Sequence, residues 1–411
     1  MKRVVITGMG AVTPIGNNLQ QFWEGIQKGK NGIDAITCFD TKDRKVTLAA
    51  EVKDFKPEEI LDKREARRMD RFTQFALVAA REAFAHSRLN TADEDVSRMG
   101  VIISSGIGGL KTIEEEEKKG SLKGYDRVSP FFIPMAISNM AAGTVAIDLG
   151  LKGMCSSVVT ACASGTNAIG DGFRYIKHGY AQVMLCGGCE ASITPLGMGG
   201  FTSLQALNTG TDKNRASIPF DKERSGFVMG EGAGVLVLEE YEHAKKRGAK
   251  IYAEIIGYGA NCDAHHMTAP LEDGSGAAAC MELALQEGGV KPHEVTYINA
   301  HGTSTPLNDK GETKAIKAVF KDHAYELAVS STKSMTGHLL GASGAIEGII
   351  TAMSIYEDFI PPTINYQVKD EECDLDIVPN EGRKQRVSYG LSNSLGFGGH
   401  NASILLKKAE E

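Results

Sequence analysis

The apolar residues of this chain fall into short runs that are separated by glycines and by longer amphipathic stretches. Residues 4–6, 101–103 and 183–185 are apolar at every position, as in strands that are buried on both faces of a sheet. The stretches 76–86 and 345–356 have the length and periodicity of helices. Because buried strands alternate with helices along the chain, we predict an α/β fold.

The pattern of the first half recurs in the second half. Four pairs of segments match in the same order: 6–11 with 256–260, 100–106 with 295–302, 158–162 with 329–333, and 230–238 with 398–406. This duplication predicts two related halves, at residues 1–250 and 251–411, that form two sheets with helices packed on and between them. Residues 18–71 and 111–134 have no counterpart, and we expect these insertions to carry partner contacts and lids.

The composition is that of an ordinary soluble enzyme, with 42% hydrophobic and 24% charged residues. The net charge of −7 argues against generic nucleic-acid binding, which usually requires a basic face. No run of about eighteen apolar residues is present, and the apolar run at residues 4–6 is too short for the core of a signal peptide. We therefore expect a cytoplasmic protein with no nucleic-acid partner and no membrane insertion.

The eight cysteines are scattered through the chain, which fits reduced thiols better than a disulfide framework. Cys186 and Cys189 form a C-x-x-C pair next to the apolar run 183–185, but no second pair and no C-x-x-H lies nearby. Packing at the end of a buried strand is therefore favoured over zinc binding or redox work. We predict no metal site in this chain.

Cys162 lies where a short predicted strand, residues 156–159 with the apolar pair Val158 and Val159, turns into the helical pattern of residues 166–177. At the junction of a strand with a helix, unpaired backbone N–H groups and the positive end of the helix dipole converge. These groups favour a thiolate over a thiol and supply donors for an oxyanion. The position therefore suits a nucleophile that becomes acylated, although a small buried side chain packed in a turn is the simpler alternative.

Polar and glycine-rich loops that resemble site loops occur in the second half, at residues 299–309, 330–344 and 392–401. The repeat places Cys162 and Lys333 at equivalent strand ends. A pseudo-twofold arrangement then brings the loops to one face, and with them four side chains: Cys162, His301, His338 and Lys333. The sequence therefore predicts a cluster of one thiol, two imidazoles and one amine.

The two histidines and the lysine of this cluster are expected to act differently. His301 and His338 lie among glycines and small residues, where side chains approach ligands and free backbone N–H groups bind anions. Lys333 is expected to set the local charge, paired with Glu347 or Asp309, rather than to form a Schiff base. Neither G-x-G-x-x-G nor a P-loop sequence occurs, so nucleotide binding is not expected.

Four motifs together resemble those of the beta-ketoacyl-acyl carrier protein synthases: Thr160-Ala161-Cys162-Ala163-Ser164-Gly165, His301-Gly302-Thr303-Ser304-Thr305, Lys333-Ser334-Met335-Thr336-Gly337-His338 and Gly396-Phe397-Gly398-Gly399. The resemblance covers essentially the whole chain, and residues 219–234 are closer to the synthase II branch than to synthase I. It implies the thiolase fold, a five-layered αβαβα arrangement of two related halves. It also implies a homodimer.

The resemblance implies a decarboxylative Claisen condensation. Cys162 would take an acyl chain from acyl carrier protein as a thioester, with the backbone N–H groups of Cys162 and Phe397 as the oxyanion hole. His301 and His338 would donate hydrogen bonds to the thioester oxygen of malonyl-acyl carrier protein, so that loss of CO2 leaves an enolate. The enolate would attack the acyl thioester, which gives a beta-ketoacyl chain two carbons longer. Both imidazoles must then donate from Nε2, so the contact of each Nδ1 decides the tautomer.

The resemblance also implies substrate contacts, and no cofactor of the chain's own because phosphopantetheine arrives on the acyl carrier protein. Thr303 and Thr305 match hydroxyls that hold the phosphopantetheine arm, and Thr268 is expected to line the same tunnel. Ile107 and Phe201 match positions that line the acyl pocket. Phe397 resembles the gate of that pocket, and residues 129–134 of a partner subunit are expected to close it.

A basic segment in the first insertion is the expected docking surface for the acidic carrier protein. On a helix, the side chains of Lys63, Arg64, Arg67, Arg68 and Arg71 would cluster on about half of the surface. A solvated helix face explains the same pattern without a partner. The resemblance favours docking, because the acidity of the whole chain would otherwise repel an acidic protein.

Two other functions remain open on the sequence. A free-standing polyketide ketosynthase carries the same cysteine and two histidines. A non-catalytic subunit that binds acyl chains is a second alternative, although the presence of Cys162 argues against it. Degradative thiolases are disfavoured because residues 396–401 contain no second cysteine. The preferred chain length cannot be read from Ile107 and Phe201 alone.

Overall fold

The computed structural model describes residues 1–409, so positions 410 and 411 of the predicted second half lie outside the described residues. The strands within the described residues are β1 Val4–Val12, β2 Asp34–Ala35, β3 Leu48–Ala49, β4 Met99–Ser104, β5 Cys155–Ser156, β6 Val183–Glu190, β7 Gly232–Glu240, β8 Ala253–Cys262, β9 Tyr297–Asn299, β10 Ala328–Ser330, β11 Phe359–Ile360, β12 Arg383–Lys384, β13 Tyr389–Gly396 and β14 His400–Lys407. The helices of the same residues are α1 Leu19–Gln27, α2 Lys63–Ala66, α3 Arg71–Ser87, α4 Leu110–Lys123, α5 Phe132–Ala136, α6 Met140–Leu149, α7 Ser164–Lys177, α8 Pro195–Ser203, α9 Tyr241–Lys246, α10 Ser275–Gly288, α11 Pro306–Phe320, α12 Lys333–Thr336 and α13 Ser343–Glu357.

The two halves of the chain build their strands in the same order. The first half has the order β5-β4-β6-β7-β1, and the second half has the order β10-β9-β13-β14-β8. In the first half β4 is parallel to β6, and in the second half β9 is parallel to β13. Strands β7 and β14 run antiparallel to both of their neighbours. The duplication predicted from the sequence is therefore confirmed in the topology.

Helices cover both halves and fill the space between them. Helix α7 contacts β6 and β4 of the first half and β14 of the second, while α13 contacts β13 as well as β7. On the outside, α3 and α6 cover the first half, and α10 and α11 cover the second. The buried apolar residues of α7 and α13 explain this central position, because a helix that is apolar around much of its surface must be buried on several sides. The resulting layers are αβαβα, as predicted.

The prediction of two separate sheets needs one correction. Val4, Val5 and Ile6 of β1 pair antiparallel with Ile255, Glu254 and Ala253 of β8. The five strands of each half therefore form one continuous ten-stranded sheet. These three pairs join the two halves through β1 and β8. The boundary proposed at residues 250 and 251 falls between α9 and β8, where it stays a prediction.

The predicted equivalence of Cys162 and Lys333 is wrong. Cys162 lies in a 3-10 turn, Ala161–Ala163, directly before α7, and the matching turn of the second half is Leu340–Ala342, directly before α13. The first residue of each turn, Ala161 and Leu340, has the same left-handed φ of 49°. Gly341 is therefore the counterpart of Cys162, and Lys333 belongs to the additional helix α12. The alignment of the two halves by their strand ends was wrong because the second half contains α12, which has no counterpart in the first half.

Other elements agree with the predictions. Cys186 and Cys189 are buried within β6, as expected for packing in a strand. The first insertion contains α1, the β2–β3 pair and α2, and the second contains α4 and the start of α5. None of the helices found in residues 1–409 is both long enough and apolar enough to cross a bilayer.

Candidate active site

A cavity of about 400 Å³ opens where the loops that follow the strands of both halves meet. Eight of the residues predicted from the sequence line it: Cys162, Phe201, Thr268, His301, Thr303, Thr305, His338 and Phe397. Thiol, imidazole, hydroxyl and aromatic groups thus face one space, although they come from distant parts of the chain. The predicted convergence of the loops is therefore observed, even though Lys333 was matched to the wrong residue.

Cys162 is held at the N-terminal end of α7. The strand predicted over residues 156–159 is shorter than expected: β5 ends at Ser156, and residues 157–160 have no regular structure. Ala161, with its φ of 49°, turns the backbone so that Cys162 faces the cavity. A non-glycine residue in this region is strained, and such strain is typical of functional turns. The side chain of Cys162 remains only 8% exposed.

The environment of Cys162 overturns the prediction of a stabilised thiolate. Burial raises the pKa of the thiol to about 12, Lys333 acts in the opposite direction, and the charge of Glu190 raises the pKa further. A hydrogen bond from the backbone N–H of Phe397 favours the thiolate. Desolvation exceeds these favourable contacts because a thiolate with little solvent around it is costly. The resting side chain is therefore a neutral thiol.

The turn that follows β13 lies against Cys162. Gly396 packs so closely that a Cβ at this position would lie 2.7 Å from the carbonyl oxygen of Thr160 and 3.2 Å from the backbone nitrogen of Cys162. A side chain at residue 396 would therefore push the turn away from the thiol. The close approach places the N–H of Phe397 toward the sulfur, and the Phe397 ring packs against that of Phe201 at a centroid distance of 6.2 Å.

His301 follows β9 and is fixed through its backbone. The N–H groups of His301 and Gly302 both donate to the carboxylate of Glu312 in α11, each at 2.8 Å. Its ring lies perpendicular to that of His338, with the centroids 5.3 Å apart. Burial lowers the pKa of His301 well below the usual value, and Lys333 and His338 lower it further. The imidazole is therefore neutral, and its Nδ1 has no hydrogen-bond partner among residues 1–409.

His338 is held by both its backbone and its ring. Its N–H donates to the carbonyl of Val228 at 2.7 Å, and its carbonyl accepts from Gly230 at 2.8 Å. Nδ1 of the ring lies 2.9 Å from Oγ of Ser343, the first residue of α13. Burial lowers the pKa of His338 well below its usual value, and Lys333 acts in the same direction. The Ser343 contact is the one that can select the tautomer of His338.

Lys333 lies behind the cavity rather than in its lining. Its Nζ forms an ion pair with Oε1 of Glu347 in α13, which decides between the two partners considered from the sequence. Both side chains are only 1% exposed. Burial raises the pKa of Glu347 to about 7, although Lys333 opposes this. The amine thus sets the charge near Cys162 and both imidazoles without reaching the cavity itself.

One oxygen of this ion pair and two other buried oxygens lack a hydrogen-bond partner among residues 1–409. Oε2 of Glu347, Oδ1 of Asn299 and Oγ of Ser392 are buried and have no hydrogen-bond partner among the described residues. No group of three or more His, Cys, Asp or Glu side chains is arranged to hold a metal ion within residues 1–409.

Ile107 does not line the cavity. It lies in the loop after β4, is 37% exposed, and donates its N–H to Glu190 at 3.3 Å. Whether an acyl chain reaches it stays a prediction. Sequence reasoning also missed four residues that support the site: Glu190, Phe227, Glu312 and Ser343. The sequence held a signal for the carboxylate of Glu190, because this residue ends a buried apolar and glycine-rich strand, and a buried Glu is nearly always paired.

The predicted basic helix over residues 63–71 is broken in two. Helix α2 ends at Ala66, and Asp70 begins α3 by accepting from the backbone N–H of Phe72. Arg71 turns inward and pairs with Glu231 at 2.8 Å, so it leaves the predicted docking surface. Four basic side chains stay exposed there: Lys63, Arg64, Arg67 and Arg68. None of these four forms an ion pair with a carboxylate of the described chain.

Family models match nearly the whole chain. The model described as "Beta-ketoacyl synthase, N-terminal domain" matches residues 1–244, and "Beta-ketoacyl synthase, C-terminal domain" matches residues 252–367. The chain belongs to the beta-ketoacyl synthase family. As in the sequence-based resemblance, the match to this family runs through both halves of the duplicated fold.

Curated beta-ketoacyl synthases are similar over their full length. The chain is 55% identical to 3-oxoacyl-acyl-carrier-protein synthase 2 of Synechocystis sp., over 99% of this chain and 98% of that protein. It is 54% identical to the protein of the same name from Staphylococcus aureus, over 100% of this chain and 99% of that protein.

Solved beta-ketoacyl synthase structures share the fold. A ketosynthase described as in complex with its type II PKS acyl-carrier protein and bound to the hexaketide has a TM-score of 0.92 at 37% identity, with full coverage of both chains. A beta-ketoacyl synthase from Burkholderia phymatum has a TM-score of 0.91 at 34% identity, also with full coverage. These structures confirm the predicted thiolase fold.

Proposed function

We propose that this protein elongates fatty acyl chains by decarboxylative condensation of an acyl group on Cys162 with malonyl-acyl carrier protein. The observation that carries the proposal is the cavity in which one buried thiol faces two neutral imidazoles, those of His301 and His338. The names of the relatives at 54–55% identity support 3-oxoacyl-acyl-carrier-protein synthesis as the reaction. The enzyme is therefore an acyltransferase that lengthens its substrate by two carbons.

Acyl transfer is the first half of the reaction. The sulfur of Cys162 attacks the carbonyl carbon of the acyl thioester, and the backbone N–H groups of Cys162 and Phe397 stabilise the resulting oxyanion. The phosphopantetheine thiol leaves and takes the proton that the neutral Cys162 thiol gives up. Because burial raises the pKa of Cys162 to about 12, the thiol must lose its proton in the course of acyl transfer. Loss of one oxyanion donor typically costs about a hundredfold or more in rate.

Condensation is the second half. Nε2–H groups of His301 and His338 donate to the thioester oxygen of the malonyl group, so that loss of CO2 leaves a stabilised enolate. Because burial holds both imidazoles neutral, one ring nitrogen of each is free of a proton, and Ser343 donates to Nδ1 of His338. The enolate carbon attacks the thioester carbonyl on Cys162. The thiolate of Cys162 leaves and takes a proton from water, which restores the thiol.

The substrates arrive on acyl carrier protein, which brings its own phosphopantetheine, so we propose no cofactor bound to the chain. The exposed side chains of Lys63, Arg64, Arg67 and Arg68 form the docking surface for the acidic carrier. Thr303 and Thr305, whose hydroxyls lie 2.8 Å apart, and Thr268 contact the arm in the cavity. Phe201 contacts the acyl chain, and Phe397 gates its entry.

We propose a cytoplasmic homodimer as the working form. Strand β5 is an edge strand of the sheet with only one neighbour, and exposed edges favour pairing with another chain. Phe131, Ile133 and Ile137 are exposed apolar side chains in the predicted partner-contacting insertion and the segment after it. A dimer would cover these side chains and bring residues 129–134 toward the acyl pocket of the second subunit.

Acylation of the purified protein by an acyl-carrier-protein thioester, measured by intact mass, tests the function. We expect a mass increase of one acyl group that is absent from Cys162→Ala. An adduct of equal size on Cys162→Ala, or no adduct on the wild type, would contradict acyl transfer at this residue.

The histidine roles have a separate test. We expect His301→Ala to lose malonyl decarboxylation, measured as CO2 release, while some acyl transfer to Cys162 remains. Unimpaired decarboxylation would contradict the role of His301. Condensation rates across saturated and unsaturated primers of different length would then give the chain-length preference.

A further inference from the structure

Glu190, the last residue of β6, is a fully buried carboxylate that has no part in the proposed reaction steps. Five donors surround its two oxygens: Ser105 Oγ at 2.8 Å, Gly106 N at 2.8 Å, Gly341 N at 3.1 Å, Ile107 N at 3.3 Å and Ser192 Oγ at 3.3 Å. Such complete satisfaction lets a carboxylate remain in the interior. Because Glu190 lies beside the cavity, the backbone segments that donate to it are held next to the site.

The donors of Glu190 come from both halves of the fold. Gly106 follows β4 in the first half, and Gly341 lies in the Leu340–Ala342 turn of the second half, yet both donate to the same oxygen, Oε2. A Cβ at either glycine would lie 2.9 Å from that oxygen. A Cβ at Gly341 would also lie 2.4 Å from the backbone nitrogen of Gly106, so a larger residue there would push apart the two backbones that meet at the carboxylate.

The site that Glu190 fills is the counterpart of the oxyanion site. Gly341 occupies in the second half the position that Cys162 occupies in the first, because both follow a residue with φ of 49° and both precede the helix of their half. The N–H of Cys162 is proposed to bind the substrate oxyanion. The equivalent N–H of Gly341 is instead occupied by a carboxylate oxygen of the protein. The duplicated turn thus has a structural use in one half and a chemical use in the other.

The turn that Glu190 holds carries several parts of the site. His338 lies two residues before Leu340, and its ring partner Ser343 directly follows Ala342. Leu340 lines the cavity and packs in the same apolar cluster as Cys162. A shift of this turn would therefore move the His338–Ser343 hydrogen bond and the cavity wall together.

We propose that Glu190 is a positioning residue for the condensation reaction, which clamps the Leu340–Ala342 turn to the loop after β4 and so holds His338 toward Cys162. This inference rests on the proposed function of the cavity. Glu190 has a second, electrostatic effect on the thiol. Burial raises the pKa of Cys162, Lys333 lowers it, and the negative charge of Glu190 raises it, so the carboxylate also keeps the thiol protonated.

Glu190→Gln tests the clamp. Glutamine has one acceptor oxygen, and in either orientation its NH2 group must face a backbone N–H, that of Ile107 or those of Gly106 and Gly341, so part of the clamp is lost without loss of volume. We expect kcat for condensation to fall by about tenfold to a hundredfold, as for a small misplacement of a reacting group. Acyl transfer to Cys162 should change little. The rate of Cys162 alkylation by iodoacetamide at a fixed pH between 7 and 9 should rise, because removal of a negative charge favours the thiolate.

Glu82→Gln is the matched control. Glu82 in α3 also accepts two backbone N–H groups of the first half, from Ala11 at 2.9 Å and Leu19 at 2.7 Å, but it does not line the cavity. The control should lose stability without changing the ratio of condensation to acyl transfer or the rate of Cys162 alkylation at the same pH. Thermal unfolding of both variants reports how much stability each one loses.

The outcomes separate the clamp from a merely structural role. If Glu190→Gln is folded and behaves like Glu82→Gln in both readouts, the inference is overturned. If Glu190→Gln does not fold, Ser105→Ala decides: we expect a loss of about threefold in condensation at unchanged acyl transfer, and equal rates would overturn the inference. If the wild type is acylated but never condenses malonyl groups, the proposed function fails instead. The rate of Cys162 alkylation at a fixed pH, which requires no acyl substrate, still shows whether Glu190 acts on Cys162.

Discussion

Replacement of Lys333 by methionine removes one partner of a buried ion pair and leaves the other in place. Glu347 then has no cation beside it, and its second oxygen already lacks a hydrogen-bond partner among the described residues. A single buried charge without a partner is costly, typically about 3–5 kcal/mol, unless the group neutralises. Glu347 can neutralise by binding a proton, so the cost should depend on pH.

The size of the effect follows from the pKa of Glu347. Burial raises this pKa from 4.5 to about 7 even with Lys333 present. When the pKa of a carboxyl is higher in the folded than in the unfolded protein, the free energy of unfolding falls as pH rises between the two pKa values. In the wild type this fall stops near pH 7, where folded Glu347 ionises. Without Lys333 the group stays protonated above pH 7, and the loss continues. The free energy of unfolding of the variant should therefore decrease relative to that of the wild type by about 1.4 kcal/mol per pH unit above pH 7, or about 3 kcal/mol at pH 9.

Urea unfolding at pH 6, 7.5 and 9 measures this difference. The double variant Lys333→Met with Glu347→Gln is the control, since it lacks the titrating group and should show no extra pH dependence. Parallel stability curves for Lys333→Met and the wild type between pH 7 and 9 would refute the reasoning. Both variants should also alkylate Cys162 more slowly, because the Lys333 charge that favours the thiolate is gone.

Three further outcomes are expected. Ser343→Ala should slow malonyl decarboxylation about tenfold, because His338 loses the contact that selects its tautomer, while alkylation of Cys162 is unchanged; equal CO2 release would contradict this. Alkylation of wild-type Cys162 should rise about tenfold per pH unit from pH 7 to 9, since burial raises the thiol pKa to about 12, and a plateau below pH 9 would argue against a neutral resting thiol. Charge reversal at Arg67 and Arg68 should raise KM for acyl carrier protein and weaken its salt dependence, whereas an unchanged KM would place docking elsewhere.

Local sequence patterns were sufficient for the long buried strands and for the reactive groups of the site. The apolar runs became β1, β4 and β6, because a segment that is apolar on both faces can be satisfied only inside a sheet. Cysteine and histidines among small residues indicated the cavity, since such loops leave room for a ligand.

Patterns failed where a single feature of the backbone decided the outcome. The basic segment 63–71 has helical spacing throughout, but the capping carboxylate of Asp70 starts a new helix and sends Arg71 inward to Glu231. Similar strand ends aligned Cys162 with Lys333, whereas the 3-10 turns align it with Gly341. The spacing of basic or apolar residues describes one element at a time. It shows neither the break between α2 and α3 nor the addition of α12 before the second turn.

The sequence by itself determined that the fold is a duplicated α/β structure and that one thiol and two imidazoles converge, because residue type and periodicity carry that information. Only the tertiary structure decided the state of those groups. Burial, which raises the pKa of Cys162 and lowers those of His301 and His338, depends on every neighbour in space. The carboxylate of Glu190 and the N–H of Gly341 that it accepts are 151 residues apart in the chain. Desolvation and hydrogen bonding act over a few ångströms, so they are fixed when the halves pack together.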